Sequence, residues 1–327
     1  MPVKVSVRLN NDVSVGRFVR VAALVEELGF DQLWVSHDLF WRSAPVLLTA
    51  AFRATSRIRL GAGVFNPVSQ HTAEIAMTAA TLQEVSSGRF LLGLGAGADT
   101  FLEWGGMRFD SPVARTRRSL TSLRSMLAGE APSGWRPEGH LRFGAVAAPI
   151  YVGAMGPRML ELAGELADGA LPLLFPPEHF TRAAEAIARG ARRAGRDPGG
   201  LDIAACLWCS VDADPARARR ALAEKLAYYG ASFSPDLLAR VGLSPADFEP
   251  IQKAMAAGDV DGAVGLVTPG MFSLGVVGGT EDVQARCLWL LAAGARHLSF
   301  GPPLGPDLEG AIRIIGREVL PTLRAAP

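Results

Sequence analysis

The chain has 327 residues, 49% of them apolar and 20% charged, which excludes a disordered segment and leaves ample length for a large core. Lys and Arg number 33 against 32 Asp and Glu, and the net charge of +1 argues against nucleic acid or an anionic membrane as the main partner. No apolar run reaches the ~18 residues of a membrane span, the three cysteines cannot build a disulfide framework, and no signal-peptide pattern is read, so a cytoplasmic setting is expected.

In chain order, short β-branched runs alternate with longer amphipathic stretches. Val3–Leu9 predicts a strand. Val15–Leu28 predicts a helix with Val15, Phe18, Ala22 and Val25 on one face, Ser14 as N-cap and Gly29 as the stop. Strands follow at Gln32–Ser36, Ile58–Val64 and Phe90–Gly95, with helices at Pro45–Thr55, Thr72–Val85 and Arg115–Leu127. Leu91, Leu92 and Leu94 lack polar alternation, as in a strand buried on both faces. The second half predicts strands at Pro149–Gly153, Gly169–Leu174, Leu201–Val211 and Arg296–Phe300, with helices at Pro157–Leu166 and Glu178–Ala194. Leu308, Ile312, Ile315 and Val319 mark a C-terminal amphipathic helix.

Eight strands alternating with helices predict an α/β fold, a (β/α)8 TIM barrel, with a doubly wound open sheet as the alternative. The stretch of about 215–280 carries extra helices around Ala216–Tyr229, Pro235–Val241 and Pro245–Ala257. It reads as a helical insertion before the last βα unit, inside a single domain spanning residues 1–327.

In such a barrel the chemistry lies where strands end and loops begin. The turn Gly153-Ala154-Met155-Gly156-Pro157 joins a strand to a helix, with Pro157 at a position that needs no N–H. It is either an anion site for a phosphate or an ordinary tight turn, and no Gly-Lys-Ser/Thr follows to make a Walker A loop. Gly93-x-Gly95-x-Gly97 lacks the final glycine of a dinucleotide fingerprint; Gly95 and Gly97 better suit close passage of the chain beside a flat ligand. His37, after the second strand, is placed to move a proton near neutral pH. Trp41 walls a pocket or packs the rim, and Asp38, Asp99 and Glu103 are candidate acids or solvated loop charges. No metal site is expected: Cys206-x-x-Cys209 lies within a strand, where side chains three apart point to opposite faces, and His71, His140, His179 and His297 do not cluster.

Four segments together resemble the bacterial luciferase-like superfamily in its coenzyme F420-dependent branch, the methylenetetrahydromethanopterin reductase-like proteins. They are Gly61–Pro67 (GAGVFNP) with His71 following, Leu82–Gly97 (LQEVSSGRFLLGLGAG), Tyr151–Ala170 (YVGAMGPRMLELAGELADGA) and Ser299–Asp307 (SFGPPLGPD). The resemblance covers essentially the whole chain. It implies a luciferase-like TIM barrel, a homodimer, and a deazaflavin in the barrel mouth. It further implies that Gly63-Val64 forms a non-prolyl cis peptide backing the ring, with Ser36 and Asn66 nearby. By the same resemblance Gly95, Ala96 and Gly97 flank the cofactor side chain, and Gly153 to Pro157 bind its phosphate.

His37 and Trp41 match the active-site His and Trp of related F420-dependent dehydrogenases. Relatives carry an acid directly after the Gly-x-Gly of strand four. Here that position is Ala98, and Asp99 or Glu103 is the candidate to replace it. The expected activity is hydride transfer between the deazaflavin C5 and a small organic C=N, C=C or C=O substrate. The alternatives are a reduced-FMN monooxygenase with a flavin reductase partner, and a cofactor-binding paralogue without catalysis.

Overall fold

The computed structural model describes residues 3–97, 99–108 and 110–326. Strands and helices alternate along the chain, and the fold class is the (β/α)8 TIM barrel. The chain divides into two compact units. The larger holds Lys4–Leu173 and Arg182–Ala204; the smaller holds Val3, Leu174–Thr181 and residues 205–326.

The larger unit carries β1 (Lys4–Leu9), α1 (Val15–Glu27), β2 (Gln32–Val35), α2 (Ala44–Phe52), β3 (Arg59–Phe65), α3 (Thr72–Ser86), β4 (Phe90–Leu94), α4 (Asp99–Trp104), α5 (Pro112–Leu127), β5 (Ile150–Ala154), α6 (Pro157–Leu166) and β6 (Gly169–Pro172). Most of α7 (Phe180–Arg193) belongs to it as well. Consecutive strands from β1 to β6 pair in parallel. Every residue of β2 and of β4 is buried, as a parallel sheet covered on both faces requires. The short α4 was not among the expected helices. At six residues it spans less than two turns, too few for a 3.6-residue period to stand out from a loop.

Side chains on the concave face of this sheet are held by a polar network. The Trp34 and Tyr151 rings meet edge-to-face at 5.0 Å although β2 and β5 are not adjacent strands, so both point to the concave side. Trp34 lies directly over Gly61, where a Cβ would come within 2.3 Å of the indole. Its Nε1 donates to Gln32 Oε1 at 2.8 Å. Asp202 accepts from Tyr151 Oη at 2.8 Å, Lys4 Nζ at 3.0 Å and Gln32 Nε2 at 3.3 Å. Burial and this carboxylate push the Tyr151 phenol upward, so it stays a donor.

The smaller unit carries most of β7 (Asp202–Val211), then α8 (Pro215–Tyr229), α9 (Pro235–Ala239), α10 (Pro245–Ala256), α11 (Val260–Gly265), β8 (Val276–Gly278), α12 (Thr280–Ala292), β9 (His297–Leu304), α13 (Leu308–Ile314) and α14 (Leu320–Ala325). The helices expected within 215–280 are present, but that stretch also contains a strand. β8 pairs in parallel with β7, Cys209 opposite Val276, and its three residues are too few to show alternation in sequence. Trp208, Tyr229, Phe233 and Phe175 form an aromatic cluster here, with the Lys225 ammonium 4.7 Å from the Trp208 ring and 4.5 Å from the Tyr229 ring. Among the described residues no helix is long and apolar enough to cross a membrane, and no group of three His, Cys, Asp or Glu side chains could hold a metal ion.

Candidate active site

All the expected site residues fall in the larger unit, at the C-terminal ends of β3 and β5 and on the segments that follow β2, β3, β4 and β5. Ala98 is not among the described residues.

The loop after β2 is held by Asn11, a fully buried side chain that sequence reasoning missed. Its amide nitrogen donates to the carbonyls of Asp38 at 2.9 Å and Arg42 at 2.8 Å. Its backbone N–H donates to Ser36 Oγ at 3.1 Å, and the Ser36 hydroxyl donates back to Asn11 Oδ1 at 2.8 Å. Ser36, expected beside the cofactor, therefore has its hydroxyl committed to loop geometry. A buried amide with two donors and an acceptor is well suited to organise irregular backbone, because each of those groups must find a partner. Asn10-Asn11 after a strand carries no periodic signal that would have marked it.

His37 is half-buried and clamped on two sides. Its Nδ1 accepts the Ala44 backbone N–H, the first of α2, at 3.1 Å, while the nominal N-cap Ser43 makes no side-chain bond. Its ring meets Phe65 edge-to-face at 5.0 Å. With Nδ1 an acceptor, the proton of the neutral ring is on Nε2, which meets no partner among the described residues. Burial lowers the imidazole pKa below its ordinary value, favouring this neutral form. Trp41 stands exposed on the same loop.

The end of β3 departs from regular pairing. The Gly63–Val64 peptide is cis, and the register with β4 slips between Ala62 and Phe65, so β3 bulges by one residue. The bulge lays the Val64 side chain over Gly153 of β5 and over Gly95, which directly follows β4. A Cβ on Gly153 would lie 3.0 Å from Val64 Cγ1, and one on Gly95 would lie 3.1 Å from Val64 Cγ2. The Gly95 N–H donates to the Phe65 carbonyl at 3.0 Å. Asn66 Nδ2 donates to the Ala96 carbonyl, and Asn66 Oδ1 accepts the Val68 N–H at 2.8 Å. Gly97 takes φ +67°, a left-handed conformation open to glycine.

The structure thus brings Gly63, Val64, Asn66, Gly95, Ala96, Gly97 and Gly153 together. It assigns some of them differently from the sequence reading. Gly95 makes room for Val64, and the Asn66 side chain is bonded to the scaffold.

Two residues beyond Gly153, the turn Met155-Gly156-Pro157 opens α6. Gly156 is its N-cap in extended backbone with no side-chain cap, and Pro157 holds the first turn. Met155, Gly156, Pro157 and Arg158 are exposed, while Ala154 is buried. A Cβ on Gly156 would meet nothing within 4 Å, so the surface beside the helix start is open. Uncapped amides, the positive end of a ten-residue helix and the nearby Arg158 make this end electropositive, the character a phosphate requires. Asp99 opens α4 with its side chain exposed.

Comparison with known proteins places these features in context. The family model of luciferase-like monooxygenases matches residues 1–297. The 5,10-methylenetetrahydromethanopterin reductase of Methanolobus tindarius is 37% identical over 93% of this chain and 95% of its own length. The reductase of the same name from Archaeoglobus fulgidus is 35% identical over 92% and 94%. Among solved structures, the coenzyme F420-dependent tetrahydromethanopterin reductase from Methanopyrus kandleri superposes with a TM-score of 0.91, covering 99% of this chain and 100% of its own at 29% identity.

Proposed function

The chain belongs to the luciferase-like monooxygenase family, and we propose that within it the protein is a coenzyme F420-dependent oxidoreductase acting on a small organic C=N, C=C or C=O substrate. Full-length similarity to methylenetetrahydromethanopterin reductases and to a solved coenzyme F420-dependent tetrahydromethanopterin reductase supports the reading. The observation that carries it is local: a neutral His37 with a free Nε2–H packs on Phe65, the residue that follows the cis Gly63–Val64 bulge.

The residues present fit the cofactor. Val64 on its bed of glycines offers a smooth apolar wall for a flat ring system, and the open start of α6 offers amides and positive charge to a phosphate. When bound, the deazaflavin supplies the hydride chemistry at C5. The protein's contribution is orientation and proton management. His37 Nε2–H donates a hydrogen bond to the nitrogen of a C=N, the oxygen of a C=O or a carbonyl conjugated with a C=C, and the Ala44 N–H on Nδ1 holds the ring in the tautomer that can do so. Trp41 bounds the substrate side. Asp99, exposed at the opening of α4, exchanges the coupled proton with solvent.

The protein is further proposed to be a homodimer. α2 has no charged residue along its nine positions, and Val46 on it and Met77 and Val85 on α3 are exposed. Exposed apolar side chains of this kind suit a second copy.

The deciding experiment is fluorescence titration of the purified protein with F420 and, separately, with FMN. Micromolar F420 binding with much weaker FMN binding is expected. Preference for FMN would replace the proposal with a monooxygenase reading, and binding of neither would remove the phosphate assignment at Gly153–Pro157.

A further inference from the structure

Three aromatic side chains beside the candidate site stand in water. Phe40, Trp41 and Trp104 are 65%, 55% and 63% exposed. The Phe40 and Trp104 rings lie 6.2 Å apart, and Phe101 meets Trp104 edge-to-face at 5.3 Å. The group is assembled from two segments that also carry the site. Phe40 and Trp41 follow His37 on the loop after β2, and α4 begins two residues beyond Gly97.

Phe40 has φ +68°, the left-handed region that a bulky side chain rarely occupies. A loop that only had to turn would carry Gly or Asn there. Here the strained residue presents a phenyl ring to Trp104 and to solvent, and a residue held against its backbone preference marks a functional position. Leaving this much aromatic surface in water is unfavourable unless something apolar covers it. Phe40 and Trp41 share the loop between β2 and α2 with His37, so what covers the group is what approaches that imidazole. α4 carries Asp99 and Glu103 and no basic residue, which disfavours an anionic occupant.

We infer that Phe40, Phe101 and Trp104 are specificity-determining residues that bind an uncharged, non-reacting apolar chain of the substrate. The substrate is then an extended apolar compound whose reactive double bond reaches His37 while its chain rests on the rim. Binding energy from such a remote chain is available to position the reacting end. For the reacting end the inference rests on the oxidoreductase proposal; for the chain it does not.

The test is calorimetric titration of the full-length protein, with no cofactor added, against straight-chain 2-alkanones from 2-butanone to 2-nonanone. Affinity is expected to rise about two- to fourfold per added methylene, the gain of removing that group from water. Trp104→Ala and Phe40→Gly should each flatten the series. A flat series in the unaltered protein overturns the inference, as does an unchanged slope in both variants. Trp104 is exposed on a short helix, so its truncation decides the matter if Phe40→Gly fails to fold by circular dichroism. Because F420 is absent from the titration, failure of the F420 proposal leaves this result standing, and a flat series leaves the F420 titration unaffected.

Discussion

The Ala44 backbone N–H donates to His37 Nδ1 across 3.1 Å, so a helix start, not a carboxylate, sets the tautomer of the candidate catalytic imidazole. His37 therefore has two separable jobs, capping α2 through Nδ1 and donating through Nε2. Asn can reproduce the first, and Gln can place a donor where Nε2 lies. His37→Asn should keep the wild-type melting temperature and lose turnover. His37→Gln should retain more turnover than His37→Asn. His37→Ala should lose both, with about 1 kcal/mol of stability going with the cap. Thermal melts and steady-state kcat on the three variants check this, and equal kcat for Asn and Gln would remove the donor role.

Burial lowers the His37 pKa below its ordinary value of 6.5. The unfolded chain therefore takes up this proton before the folded one as pH falls. The contribution to stability is complete above about pH 6.5 and is lost progressively below it. Protonation also places a hydrogen on Nδ1, which breaks the Ala44 bond. Turnover should have an acid limb below pH 6.5, and the melting temperature should fall in the same range. Both features should vanish in His37→Gln; an acid limb unchanged in that variant would assign it to another group.

Val64 and Gly153 form a pair that a double substitution can probe. Gly153→Ala brings a methyl to 3.0 Å from Val64 Cγ1 and meets no other atom within 3.4 Å, whereas Gly93→Ala drives one to 2.2 Å from the Ala62 carbonyl oxygen. Gly153→Ala should weaken F420 binding by tilting the Val64 wall, and Val64→Ala in the same chain should restore much of it. Gly93→Ala should destabilise by more than 2 kcal/mol with no rescue, because backbone cannot retreat as a side chain can. Fluorescence titration and denaturant melts read the two effects.

Gly156 has open space where a Cβ would go and extended backbone that any residue adopts. Gly156→Ala exchanges a favourable N-cap residue for a poor one and should cost about 1 kcal/mol at most, leaving the protein folded. A methyl beside the helix start should still weaken F420 binding severalfold if the phosphate rests there. Unchanged affinity in a well-folded variant would move the phosphate elsewhere.

The uncharged helix α2, with exposed Val46, and the exposed Met77 and Val85 of α3 predict a self-association surface. Val46→Glu with Met77→Glu puts two carboxylates on exposed apolar positions. Light scattering should show the wild type as a dimer and the double variant as a monomer with unaltered circular dichroism. A monomeric wild type would refute the assignment.

The sequence by itself determined the α/β class, the alternation of strands and helices, and the loops on which the candidate site lies. Those features are local: they rest on apolar period, on Ser14 as a helix cap and on Gly29 as a stop. Even the short strand β8 and the six-residue α4 escaped only because too few residues show a period. What tertiary structure alone decided is which partner each side chain meets. His37 and Ala44 lie seven residues apart, and no pattern announces that an imidazole will cap that helix. Ser36 and Asn66 looked like ligand contacts, yet their polar atoms are held by Asn11 and by the Ala96 carbonyl. Gly95 read as a point where the chain passes close to a flat ligand and Gly153 as part of a phosphate turn, and the bulge of β3 sets Val64 against both. Close packing between strands distant in sequence sets these contacts, and a single chain read in order does not contain them.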